Sequence, residues 1–242
     1  AQTGALLPGE NPNVRAIVLY GADFTLQGGT IRDFVYKGTN ANGGAAIFAS
    51  ASESGYNAHL TIAGGLIENC QSRNGGGVYC YLAQNAAGYA NSFTMTGGTI
   101  RNCVGENGGG IALYCNYGST VNHHRVTISG GTIDGCRATT RGGGIYYDGV
   151  ASPSTPMEVE IYGVTVQNCQ ASTSAAGIYL NRPGSAAYPL VLGKAGVETK
   201  LLNNYCSNSN NAASGMNLEN PLAKVRVEVT NLTVSGLSLI HI

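Results

Sequence analysis

Four cysteines stand at equal intervals, Cys70, Cys103, Cys136 and Cys169, each 33 residues after the last. Thiols repeated in this way could ligate a soft metal, exchange disulfides, or fill one corner of a repeating core. The chain holds 7 Cys in all, an odd number, so they cannot all pair within it. No C-x-x-C occurs, and none of His59, His123, His124 and His241 stands at a zinc-module spacing from another ligand. The series therefore predicts a ladder of buried thiols, with Cys206 as a candidate fifth member and with no metal or cofactor.

Carboxylates offer a second chemistry. Glu68 and Asp134 hold equivalent places two repeats apart. If successive repeats stack at about 4.8 Å, the two lie about 9.6 Å apart. That distance is near the spacing of an inverting glycosidase pair. Arg101 lies between them and is expected to hold both ionised, whereas a general acid needs a raised pKa. The column Arg32, Glu68, Arg101, Asp134, Gln167 therefore predicts a salt ladder. The glycine run Gly75-Gly76-Gly77 lacks the following Lys and helix of a phosphate cradle. Aromatic chemistry is the stronger signal. Two columns, Phe48, Tyr79, Ala112, Tyr146, Tyr179 and Ser50, Tyr81, Tyr114, Asp148, Asn181, are predicted to face outward. Exposed Tyr suits sugar faces and protein partners, so Tyr79, Tyr81, Tyr114, Tyr146 and Tyr179 are the candidate binding residues.

The elements that position these groups are legible as a repeat. Gly64-Gly65-Leu66-Ile67-Glu68-Asn69-Cys70 recurs as Gly97-Gly98-Thr99-Ile100-Arg101-Asn102-Cys103 and as Gly130-Gly131-Thr132-Ile133-Asp134-Gly135-Cys136. An earlier copy runs from Gly28 to Phe34, and a weaker one from Tyr162 to Cys169. A second signature, Gly75-Gly76-Gly77-Val78-Tyr79, returns at Gly108 and Gly142; a third, Leu60-Thr61-Ile62, returns at Phe93, Val126 and Val159. Each signature alternates apolar and polar residues, which is the strand period, and Gly or Asn separates them. A polar stretch such as Cys115 to His124 closes the repeat as a loop.

Three strands per repeat and no helical period predict an all-β fold, a right-handed parallel β-helix of about six coils. The inward columns are Ile31, Ile67, Ile100, Ile133, Val166; Leu26, Ile62, Met95, Ile128, Ile161; and Ile47, Val78, Ile111, Ile145, Ile178. Asn69, Asn102 and Asn168 share one bend, where left-handed backbone suits Asn. A single domain is expected over residues 1–236, with recognisable repeats over 24–234. Leu237-Ser238-Leu239-Ile240-His241-Ile242 reads as an in-frame translation of a sequencing adaptor, so further domains are expected beyond it.

Charged residues are 11%, against about 25% in ordinary domains, and the net charge is zero. This gives no electrostatic reason to expect nucleic acid as a partner. No apolar run approaches the length of a membrane helix. Low charge with 43% hydrophobic residues excludes disorder.

The GG-T-I-x-x-C and GGG-[I/V]-Y grammar resembles the parallel β-helix repeats of large bacterial surface proteins, and loosely the repeats of chlamydial polymorphic outer membrane proteins. The resemblance implies secretion, cell-surface display and an adhesive role toward a glycan or a host or cell-surface protein. Pectate lyases and polygalacturonases resemble the chain in architecture only. They cluster aspartates, whereas Asp23, Asp33, Asp134 and Asp148 fall in different repeats. The expectation is a non-catalytic binding module; the alternative is a carbohydrate-active enzyme with a groove of at least two carboxylates.

Overall fold

The computed structural model describes residues 14–38, 43–50, 57–82, 91–115, 124–149, 157–183, 188–208, 214–219, 227–236 and 240–241. Within them the chain is a parallel β-solenoid of four sheets with 7, 7, 6 and 8 strands. One coil shows the plan. His59–Ile62 belongs to a threonine sheet, Leu66–Glu68 to an isoleucine sheet, Gln71–Ser72 to a short sheet and Val78–Tyr81 to a tyrosine sheet. Every strand pairs in parallel with the strand one coil away. Ile67 thus lies over Ile31 and under Ile100, which lies under Ile133. Ile62 pairs with Met95 and Val78 with Ile111 in the same manner.

Burial follows the alternation. Ile62, Ile67, Met95, Ile100, Ile111 and Ile133 are all within 1% of full burial. Removing each such side chain from water contributes roughly 1.5–3 kcal/mol. The columns persist where the repeat fades, since Leu192, Leu201 and Met216 take the next rungs over Ile161, Val166 and Ile178. Val229 and Val234 continue two of them. Ile240–His241 adds a short strand beside Met216–Asn217.

The expected three strands per coil become four. The extra strand follows the cysteine bend and is only two residues long at Gln71–Ser72 and Gln170–Ala171. It carries no alternating apolar signal, because its inward residues are small: Ser72, Gly105, Ala138 and Ala171. Pairing with neighbouring rungs, rather than local propensity, makes it a strand.

The bend itself is as predicted. Asn69, Asn102 and Asn168 have φ of 56°, 53° and 55°, and Asp33, Gly135 and Asn203 fill the same place in other coils. Their amides reach back one rung: Asn69 Nδ2 donates to Asp33 Oδ1 at 3.2 Å, and Asn168 Nδ2 to Asp134 Oδ1 at 2.8 Å. Such ladders satisfy polar groups along a stack.

All seven cysteines are free and buried. Cys70, Cys103 and Cys169 donate to the carbonyl two residues earlier, at 3.3, 3.4 and 3.3 Å. The hydrogen bond with Cys103, together with burial, pushes the Cys70 thiol far up, and burial does the same for Cys136. Thiolate chemistry is thereby suppressed. Cys206 does not extend this ladder. It pairs with Ala171 and packs with Ala138 in the short sheet. The ladder's next place belongs to Asn204, fully buried, whose Oδ1 accepts from the Cys169 N–H at 3.0 Å and whose Nδ2 donates to the Val166 carbonyl at 3.0 Å.

Candidate binding site

The tyrosine sheet brings the five candidate tyrosines to one side of the solenoid, but not to one environment. Tyr79, Tyr146 and Tyr179 are 3%, 7% and 1% exposed, so the expected open aromatic face is corrected here. Tyr81 and Tyr114 are half-buried. The cause is the coil spacing. Strands about 4.8 Å apart set ring over ring, and each ring covers its neighbour. Phe48 and Tyr79 stack with centroids 5.6 Å apart and planes at 1°, and Tyr146 and Tyr179 at 5.3 Å and 3°.

Ala112 would leave a gap in this column. Tyr114, two residues on, fills it, 5.3 Å from Tyr79 and 5.4 Å from Tyr146. The exposed Tyr20 caps the series edge-on at 5.7 Å from Phe48. Cations close its flanks: the Arg15 guanidinium sits 4.2 Å from the Phe48 centroid, and that of Arg141 5.2 Å from Tyr179. Burial pushes the Tyr146 hydroxyl up to about 12, and Tyr79, Tyr114 and Tyr179 further in the same direction.

The second column forms a polar rim beside the stack. In register along it stand Ser50, Tyr81, Tyr114, Asp148, Asn181 and Glu219. Asn181 Nδ2 donates to Asp148 Oδ1 at 2.6 Å, and Arg182 Nη2 lies 3.6 Å from the same oxygen. The Tyr179 hydroxyl donates to Glu219 Oε2 at 2.5 Å, tying the stack to the rim. Sequence reasoning missed Arg15, Tyr20, Asn217 and Glu219. The register of Met216-Asn217-Leu218-Glu219 with Ile178-Tyr179-Leu180-Asn181 was the available signal for the last two.

The expected salt ladder closes at Glu68, where Arg101 Nε and Nη2 both donate to Oε2 at 2.8 and 2.6 Å. Asp134 takes the amide of Asn168. On the outer face of the short sheet an open groove of about 350 Å³ is lined by Lys37, Gln71, Arg73, Glu106 and Thr139. Arg73 Nε and Glu106 Oε2 pair across it at 3.0 Å. Among the described residues no three His, Cys, Asp or Glu converge as metal ligands. No described helix is long and apolar enough to cross a membrane.

Fold and rim together define a parallel β-solenoid with a self-covered aromatic ladder and a polar edge. Comparison with protein-family models, curated proteins and solved structures gave no match.

Proposed function

We propose that the chain is an adhesin-like module of a secreted or cell-surface protein, and that it binds a glycan along the rim of the tyrosine sheet without acting on it. One observation carries this reading: Tyr81, Tyr114, Asp148, Asn181 and Glu219 stand in register on successive rungs. A ladder with one polar or aromatic group about every 4.8 Å matches a ligand that is itself a repeating polymer. Phenol edges offer apolar contact and a hydroxyl, the part-exposed carboxylates accept from sugar hydroxyls, and the buried Asn181 amide holds Asp148 in place. Rigid strands hold these groups without a cost in loop ordering. Burial shields the thiols from oxidants, which is compatible with display outside the cell.

The test is binding to a glycan array by the whole chain and by Tyr81→Ala and Asp148→Asn. Each variant is expected to weaken binding about tenfold, which is about 1.4 kcal/mol, while thermal unfolding stays cooperative. Binding that survives both variants would overturn the rim as the site. An empty array with protease-sensitive attachment to cells would move the reading to a protein ligand. New reducing ends or unsaturated products from a polysaccharide panel would replace it with the carbohydrate-active enzyme.

A further inference from the structure

The threonine sheet carries a second constellation, on a different face from the rim. One outward column reads Asp23, His59, Ser92, Arg125, Glu158 on five successive strands, in register throughout. The residues that follow each of the middle three, Leu60, Phe93 and Val126, are buried, which turns the column itself to the outside. His59 Nδ1 lies 2.8 Å from Ser92 Oγ. Beyond Ser92, Arg125 is fixed by Glu158, Nε to Oε2 at 2.8 Å. Two residues along each strand, about 6.6 Å away, runs a parallel row of hydroxyls from Thr25, Thr61, Thr94 and Thr127.

The geometry points to an acyl-transfer site in which Ser92 is the nucleophile, His59 its general base, and a small carboxylic ester the substrate class. A serine hydroxyl is a weak nucleophile until a base within hydrogen-bond reach takes its proton. His59 meets that distance in the tautomer that carries its proton on Nε2 and leaves Nδ1 free to accept. Asp23 stands on the side of His59 away from Ser92, where a carboxylate favours the imidazolium that forms. Arg125 stands on the side of Ser92 away from His59, where a cation favours an oxyanion. The backbone N–H groups of the sheet are committed to neighbouring strands, so the charge must come from a side chain.

The steps balance. Ser92 Oγ bonds to the ester carbonyl carbon and its proton passes to His59 Nδ1. The C–O bond to the alkoxy group breaks, the alcohol leaves with the proton from His59, and an acyl-serine remains. Water, deprotonated by His59, then releases the carboxylic acid and regenerates the hydroxyl. Among the described residues the threonine row offers hydroxyl partners and no deep apolar slot, which selects a short acyl group on an oxygen-rich carrier.

The experiment treats the whole chain with an alkyl phosphonofluoridate, which forms an Oγ–P bond at an activated serine and releases fluoride, and locates the adduct by peptide mass spectrometry. The expected result is an adduct on Ser92, lost in Ser92→Ala, about 100-fold slower in His59→Gln, and unchanged in Thr132→Ala on the isoleucine sheet. Hydrolysis of p-nitrophenyl acetate follows the same order. No adduct at Ser92, or an adduct that forms equally fast in a folded His59→Gln, overturns the assignment. Should either variant fail to fold, carbethoxylation of His59 in the unaltered chain decides, and a Ser92 labelling rate indifferent to that modification overturns it.

Discussion

The inner thiol ladder and the outer aromatic ladder are built from the same repeat, yet they solve their packing in opposite ways. Inside, size is fixed. The place where a Cβ on Gly77, Gly110 or Gly144 would stand is only 3.4, 3.3 or 3.4 Å from the Sγ of Cys103, Cys136 or Cys169. A glycine run and a small side chain meet there, and at the ends of the ladder Phe34 and Asn204 take the same place. Outside, size is free. The column runs from Phe48 through Tyr79 and Ala112 to Tyr146, and Tyr114 crosses from its own column to close the gap. Where glycine and cysteine meet, a closed interior demands one residue volume, whereas an open edge lets neighbours adapt.

The largest effect is expected from breaking the inner side. In Gly143→Ala the new Cβ would meet the Gln170 and Ala176 carbonyl oxygens at 2.3 and 2.5 Å. Both are backbone atoms of the next coil, so the coil must move. A loss of about 4 kcal/mol or more is expected in urea unfolding. Tyr146→Ala removes one ring from the middle of the outer stack. A loss of about 3 kcal/mol is expected if the gap stays open, and clearly less if Tyr114 swings to cover it, which would sharpen the contrast. Cys136→Ser places a hydroxyl in the apolar corner for a loss of about 2 kcal/mol. All seven thiols should stay silent toward a thiol reagent until denaturant opens the coils. The smallest effect is alkaline. The ordinary tyrosine value is about 10, and burial raises Tyr146 to about 12. Above pH 10 the unfolded chain releases a proton that the folded chain keeps, so stability falls from there toward pH 12. Phenolate absorbance and melting temperature, followed together, measure it.

Much of the fold was readable because the period was. Ile67, Ile100 and Ile133 occupy identical places in identical strings, and stacking follows. The fourth strand was not readable, since two residues such as Gln71–Ser72 carry no period of their own. Cys206 misled because its coil is longer: it stands 37 residues after Cys169, and Asn204 takes the inner place. The candidate rim was half readable. Tyr81 and Tyr114 were found by alternation, but the same rule placed Tyr79, Tyr146 and Tyr179 in the open. The His59–Ser92 pair escaped because its column changes residue type at every rung, leaving no repeated letter to notice.

Through the regular coils the sequence by itself determined which side of the backbone each residue takes and which residue lies one coil above it, because alternation and repeat length are properties of the string. Only the tertiary structure decided what is covered. Whether an outward ring meets water depends on the rings above and below it, on Arg15 and Arg141 at their flanks, and on a rung spacing that no single strand encodes.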